Sequence, residues 1–142
     1  MEKREVGFGQ HLMIDGYGGC RRKLVSLDFI YQFLDSYPDK IAMTKIIPPY
    51  VFKYCGLKPE DWGISGVVFI AESHISIHTF PEKEYLSLDI FSCKEFNTDQ
   101  ATSYIEEFFE LTKMEINLLN RGLEFKKTVR VITKLKKINY LP

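Results

Sequence analysis

The segment GISGVVFIAESHISIHTFPE, residues 63–82, carries the strongest structural and chemical signals in this chain. Residues 67–71 are a short apolar run rich in Ile and Val, which is typical of a buried strand. Residues 74–79 alternate with the period of two that indicates a strand with one buried and one wet face. The wet face of this strand would carry three polar side chains: His74, Ser76 and His78. A thiol, Cys93, follows at the end of the next predicted strand, so reactive groups are concentrated in this region.

The flanking segments predict further strands and two helices. Ser26 stands in the N-cap position before apolar residues at helical spacing. The segment Asn97-Thr98-Asp99, with an acidic residue that is favourable at a helix N-terminus, marks the start of a second helix. The predicted strands cover residues 7–14, 41–47, 67–71, 74–79, 85–93 and 114–119. The order of strand, helix, strands, helix and strand predicts an α+β fold, a two-layer sandwich in which two helices pack on one face of a mostly antiparallel sheet.

The length of the chain favours one core. A chain of 142 residues that is 45% hydrophobic can bury one sizeable core but not two independent ones. We expect a single domain over residues 1–125, followed by a basic C-terminal extension over residues 126–142, in which basic and apolar residues are interleaved. Three interpretations of this extension are open: a solvated amphipathic extension, which we favour, one more strand, and a basic interaction tail.

Charge and composition narrow the classes of partner. Nineteen basic and nineteen acidic residues give no net charge, so no global attraction draws the protein to nucleic acid or to an anionic membrane. No run approaches the roughly 18 apolar residues of a membrane span, and the charged N-terminus does not resemble a signal peptide, so we expect a cytoplasmic protein.

The three cysteines are far apart and form no CxxC pair, which argues against a disulfide framework and against a thiolate metal site. We expect no metal.

Residues 63–82 resemble the self-cleavage motif of the prokaryotic S-adenosylmethionine decarboxylases, pyruvoyl-dependent enzymes that are made as proenzymes. In that family the motif is followed by a strand similar to LDIFSC, residues 88–93 of this chain. The likeness runs from about residue 7 to residue 123 and is strongest over residues 63–93. A match of this length is a specific signal, whereas a bare Ser-His pair would mean little.

The resemblance implies that the chain cuts itself between Glu72 and Ser73. The Ser73 hydroxyl would attack the carbonyl carbon of Glu72 and convert the peptide into an ester. Elimination across Ser73 would then release residues 1–72 and leave a pyruvoyl group in place of Ser73. Through a Schiff base, this group accepts the electron density left on Cα when an amino acid loses carbon dioxide, so the resemblance implies no external cofactor.

The resemblance also implies roles for three further side chains. His78 matches the base for the elimination, and Ser65 matches the residue that supports the ester step. Cys93 matches the acid that returns a proton to Cα after carbon dioxide leaves. Considered one at a time, these residues also fit structural roles: a turn serine, a hydrogen-bonded sheet histidine and a buried thiol. Their combination in one motif favours the catalytic interpretation.

The spacing between Ser73 and His78 predicts a dimer. Five residues of extended strand span roughly 16 Å, so His78 cannot reach Ser73 of its own chain along a straight strand. A two-fold homodimer solves this problem, and the resemblance implies the same arrangement. The shared site would combine two residues from each subunit: Ser73 and Cys93 of one, and Ser65 and His78 of the other. We therefore expect an obligate homodimer with active sites shared across the interface.

The resemblance implies S-adenosylmethionine as the substrate and a place in polyamine (spermidine) biosynthesis. Glu82 matches a family glutamate that holds the ribose hydroxyls, a role that suits a carboxylate. Family members commonly place an adenine-stacking aromatic residue where this chain has Pro59, and Trp62, Tyr50 or Phe52 can supply the ring instead. Two alternatives are open: the same chemistry on ornithine or arginine, and a non-catalytic regulatory homologue.

Overall fold

The computed structural model describes residues 3–130 and 138–141 of the chain. Within these residues, a seven-stranded sheet forms one layer and two long helices form a second. The strands are β1 Lys3–Val6, β2 Gly9–Tyr17, β3 Tyr50–Cys55, β4 Trp62–Ile70, β5 Ser73–Phe80, β6 Tyr85–Ser92, β7 Lys113–Arg121, β8 Lys127–Arg130 and β9 Ile138–Leu141. The helices are α1 Arg21–Leu24, α2 Leu27–Lys40 and α3 Thr98–Phe109.

The large sheet has the strand order β3-β4-β5-β6-β2-β7-β9. Every neighbouring pair is antiparallel except β7 and β9, which run parallel. Strands β1 and β8 pair with each other in a small antiparallel sheet. The predicted α+β class with a mostly antiparallel sheet is therefore confirmed.

Both long helices begin at the residues that the sequence indicates. The Ser26 side chain accepts a hydrogen bond from the Phe29 N–H at 3.2 Å, and the Asn97 side chain accepts one from the Gln100 N–H at 3.0 Å. Each bond satisfies one of the backbone donors that a helix N-terminus leaves without a partner. Capping thus determines where α2 and α3 start.

The core lies between the two helices and one face of the sheet. Alternation along the strands directs aliphatic side chains to this face, and all of those from β5 and β6 are buried. Tyr37 of α2 is completely buried, and its hydroxyl donates to the Ala101 carbonyl of α3 at 2.8 Å, which ties the helices together. The opposite face of the sheet, here called the open face, carries His78 and its neighbours on the wet side of β5.

Residues 41–47, which we predicted as a strand, do not form one. Ala42 adopts a positive φ of 56° in a turn, and Lys45 makes only an isolated bridge to Ile70. The apolar residues Ile41 and Met43 are buried because this turn packs them into the core, and a short apolar run does not distinguish that arrangement from a strand. The edge of the sheet is instead β3, Tyr50–Cys55.

The C-terminal extension contributes strands where the structure describes it. Residues 127–130 pair with β1, and residues 138–141 pair with β7. These segments are therefore strands and not the solvated tail that we favoured. A pattern of basic and apolar residues suits an edge strand as well as a tail. The domain boundary at residue 125 stays a prediction. The helices in the described part of the chain are too short or too polar to cross a lipid bilayer.

Candidate active site

The register between β4 and β5 places Ser65 directly opposite His78 on the open face. Ser65 Oγ and His78 Nδ1 are 2.9 Å apart, which is hydrogen-bonding distance. When the Nδ1–H donates to the Ser65 hydroxyl, the lone pair of Nε2 is available to accept a proton. The pair that the sequence predicts is therefore brought together, with a geometry suited to a general base and its orienting partner.

The other end of β5 holds the predicted cleavage site. Ser73 begins the strand and pairs with Ser92 of β6, after which Cys93 follows. The Cys93 N–H donates a hydrogen bond of 3.0 Å to the Glu72 carbonyl oxygen. The Glu72 side chain is buried, and its Oε1 accepts a 2.8 Å hydrogen bond from the Thr44 N–H. Glu72, the residue before Ser73, is thus held both by its backbone carbonyl and by its side chain.

The backbone at Ser73 is strained. Its φ of 155° lies in a region that is essentially reserved for glycine and that costs of order 1–3 kcal/mol for other residues. Such strain persists only where the surrounding structure over-determines the conformation, and the pairing of Ser73 with both neighbouring strands does so here. Strain of this kind raises the free energy of the intact chain relative to a product in which the bond between Glu72 and Ser73 is broken.

The two pairs of residues are not brought together within one chain. Ser65 and His78 lie at one end of β5, and Ser73 and Cys93 lie at the other. His78 lies five positions after Ser73 along the strand, which corresponds to roughly 16 Å. A single chain therefore presents two half-sites on the same sheet.

A cavity of about 360 Å³ opens beside the first half-site. This volume falls in the usual range of small-molecule pockets, roughly 300 to 1,000 Å³. The residues that line it include Ser65, His78 and both predicted substrate-binding residues, Trp62 and Glu82. Tyr50 and Phe52 are not among its lining residues, whereas Tyr54 is.

Glu82 is held as a carboxylate at the rim of this cavity. Its Oε1 accepts hydrogen bonds from Trp62 Nε1 at 3.0 Å and from the Arg21 guanidinium at 2.9 Å. These two donors, the indole first, lower the pKa of Glu82 below its ordinary value. The Lys53 ammonium covers one face of the Trp62 ring, 4.8 Å from the ring centre.

Comparison with known proteins identifies the family of this chain. The family model described as S-adenosylmethionine decarboxylase matches residues 10–122, most of the chain. The chain belongs to the S-adenosylmethionine decarboxylase family. The matched span includes the motif of residues 63–82, all four predicted catalytic residues and most of the large sheet.

Three similar proteins illustrate this membership. A protein named S-adenosylmethionine decarboxylase proenzyme from Thermococcus kodakarensis is 35% identical, over 87% of this chain and 81% of its own length. A protein of the same name from Clostridium botulinum is also 35% identical, over 80% of this chain and 94% of its own. The crystal structure of the adenosylmethionine decarboxylase from Aquifex aeolicus matches with a TM-score of 0.65 and 25% identity, covering 90% of this chain and 97% of that one.

Sequence reasoning missed three features of this family member's site. Arg21 reaches Glu82 from the start of α1, and no local signal in the sequence connects the two. Tyr54 belongs to a strand that the sequence analysis did not recognise. The Cys93 N–H is a backbone group, so no residue type could have revealed its contact with the Glu72 carbonyl. Over residues 3–130 and 138–141, no cluster of three or more His, Cys, Asp and Glu side chains is arranged to hold a metal ion.

Proposed function

We propose that this chain is a proenzyme that cuts itself between Glu72 and Ser73 and then decarboxylates S-adenosylmethionine with a pyruvoyl group made from Ser73. One observation carries the proposal: a backbone N–H, from Cys93, is already bonded to the carbonyl of Glu72, next to a strained Ser73. The substrate is inferred from family membership, because the relatives described above carry that name. The cytoplasmic location expected from the sequence stays a prediction.

Self-cleavage begins with attack of Ser73 Oγ on the carbonyl carbon of Glu72. A C–O bond forms, the peptide C–N bond breaks, and the nitrogen of Ser73 takes up a proton to become an amine. Negative charge develops on the Glu72 oxygen during this step, where the Cys93 N–H can stabilise it. Breaking the peptide bond also releases the backbone strain at Ser73.

The second stage is an elimination that needs a base. The partner subunit's His78 removes the Cα proton of Ser73 while the Cβ–Oγ bond breaks, and residues 1–72 leave with a free carboxylate at Glu72. The dehydroalanine that remains tautomerises to an imine, and water converts this imine to the pyruvoyl group and ammonia. The Ser65 hydroxyl, 2.9 Å from Nδ1, supports the orientation of the imidazole that this step requires.

The residues around position 73 are compatible with a pyruvoyl group. Such a group supplies an electron sink for the loss of carbon dioxide from an α-amino acid. Cys93 follows Ser92, the β6 residue paired with Ser73, and this neighbourhood supports its thiol as the group that returns a proton to the substrate Cα. The cavity would hold the rest of the substrate, with Glu82 Oε2 accepting from the ribose hydroxyls while Oε1 stays bonded to Trp62 and Arg21.

A homodimer completes the site. Because the half-sites lie at opposite ends of β5, a two-fold rotation that packs two open faces with their strands antiparallel would bring the Ser73 end of one β5 over the His78 end of the partner subunit's β5. Each dimer would then contain two complete sites. The same rotation supports the pairing that the sequence predicts.

The open face has the chemistry of an interface. It carries several exposed aromatic side chains, namely Tyr50, Phe52, Phe69 and Phe80. Polar groups at its centre are already paired within the chain: His11 with Asp89 at 2.8 Å and Tyr85 with Asp15 at 2.5 Å. Polar groups that have partners can be buried at little cost, so this surface is suited to face a second copy of itself.

Self-cleavage and substrate choice can be measured on the purified chain. Intact-mass analysis should find two pieces, residues 1–72 and 73–142, the second lighter by one ammonia than its sequence. Carbon dioxide release from S-adenosylmethionine, ornithine and arginine, assayed in parallel, should be substantial only with the first. A folded chain that stays intact would overturn the proposed function, and release from ornithine or arginine alone would overturn the substrate.

The shared site can be tested by mixing two inactive chains. We expect neither Ser73→Ala nor His78→Ala to cleave alone, but their heterodimer contains one site with both native residues. Co-expression in equal amounts should therefore cleave about half of the His78→Ala chains and give about one quarter of wild-type activity. The matched control pairs Ser73→Ala with Cys93→Ala, which lie in the same half-site and cannot form a wild-type site. Decarboxylation restored in the control, or no cleavage and no decarboxylation in the test pair, would contradict the arrangement.

A further inference from the structure

Strands β1 and β8 form a small sheet that lies outside residues 10–122, the span that matches the family model. In this sheet Lys127 pairs with Val6, whose side chain is buried. Lys127 is half-buried, whereas residues 121–126 and Thr128 are exposed. The small sheet therefore directs one lysine towards the body of the protein.

The Lys127 ammonium lies beside the cleavage site. Its Nζ donates a hydrogen bond to the backbone carbonyl of Cys93, and it lies 5.7 Å from the centre of the Phe8 ring. On the other side of the same residue, the Cys93 N–H donates to the Glu72 carbonyl. Both backbone groups of Cys93 are thus bonded: its N–H donates to the Glu72 carbonyl, and its own carbonyl accepts from Lys127.

Cys93 needs such support because it follows the end of a strand. Strand β6 ends at Ser92, so the regular ladder does not continue to Cys93. The next turn is closed by Ser92 Oγ, which accepts from the Lys94 N–H at 3.0 Å and donates to the Lys94 carbonyl at 2.7 Å. A hydrogen bond from a charged donor is stronger than a neutral one, so an ammonium is well suited to fix a residue in this position.

We propose that Lys127 is a positioning residue for the catalytic corner of this protein. It fixes Cys93 so that the Cys93 N–H stays on the Glu72 carbonyl during self-cleavage and the thiol stays beside position 73 afterwards. The proposal rests on the proposed function, since it concerns the same reaction. Lys127 touches none of the reacting atoms and acts only through Cys93. Part of the C-terminal extension thereby takes part in processing.

Three variants separate the charge from the packing of this strand. Lys127→Met keeps the apolar stem and removes the ammonium, Lys127→Arg keeps a positive charge, and Lys126→Met changes the exposed neighbour as a matched control. The rate of self-cleavage is followed on freshly synthesised full-length chains. We expect Lys127→Met to cleave about tenfold more slowly, because small displacements of reacting groups are costly, and the other two to cleave at close to the wild-type rate. In the mature enzyme, Lys127→Met should lower kcat and leave KM nearly unchanged.

The melting temperatures of the same chains show whether Lys127 only stabilises the fold. A Lys127→Met chain that cleaves at the wild-type rate overturns the proposal, whatever its melting temperature. Equal losses in Lys127→Met and Lys127→Arg overturn it too, because the charge would then not matter. Lys127→Gln replaces Lys127→Met if the latter does not fold. A wild-type chain that never cleaves overturns the proposed function itself, so the two failures are distinguishable.

Discussion

Replacing Ser73 with alanine is expected to leave the protein as a single chain of 16.6 kDa and to abolish decarboxylation. The variant lacks the hydroxyl that attacks the Glu72 carbonyl, so no ester forms and no pyruvoyl group can arise. Without this covalent electrophile, we expect activity to fall by about a million-fold or more. A denaturing gel and a carbon dioxide assay on the same preparation measure both effects.

The matched control for this variant is Ser36→Ala, which removes a half-buried serine hydroxyl that donates to the Gln32 carbonyl within α2. This chain should cleave and turn over like the wild type. Cleavage of Ser73→Ala at the original position would contradict the mechanism, because a different nucleophile would then have to attack Glu72. Loss of cleavage in both variants would indicate a general folding defect instead.

Replacing Cys93 with alanine is expected to separate the two reactions of the protein. Self-cleavage should continue, at least in part, because the group that holds the Glu72 carbonyl is the backbone N–H of residue 93, which alanine retains. Decarboxylation should fall by about 10²- to 10⁴-fold, the usual loss when a general acid is removed. The loss should appear in kcat with KM little changed, since the thiol acts after the substrate has bound.

Cys55→Ala provides the matched control, because Cys55 is an exposed thiol on the edge strand β3. It should leave cleavage and turnover unchanged. A fully active Cys93→Ala enzyme would exclude the thiol as the proton donor. Complete failure of cleavage in Cys93→Ala would mean that the side chain, and not only the N–H, is needed to hold the Glu72 carbonyl.

Local signals were sufficient for much of the fold. Alternation along residues 74–79 predicted which side chains of β5 are buried. The N-cap residue Ser26 and the segment Asn97-Thr98-Asp99 predicted the helix starts. The same reasoning failed at residues 41–47, where an apolar run packs as a turn, and it missed the aromatic edge strand at Tyr50–Cys55. A short apolar run records burial but not the backbone conformation that achieves it.

The sequence by itself determined the strand periods, the starts of the two long helices and the motif that assigns this chain to its family. Only the tertiary structure decided that Ser65 lies opposite His78, that the Cys93 N–H meets the Glu72 carbonyl, and that Lys127 reaches the same corner. The reason is physical. Periodicity and capping depend on residues within a few positions of one another, whereas these contacts depend on strand register and on pairing between segments far apart in the chain.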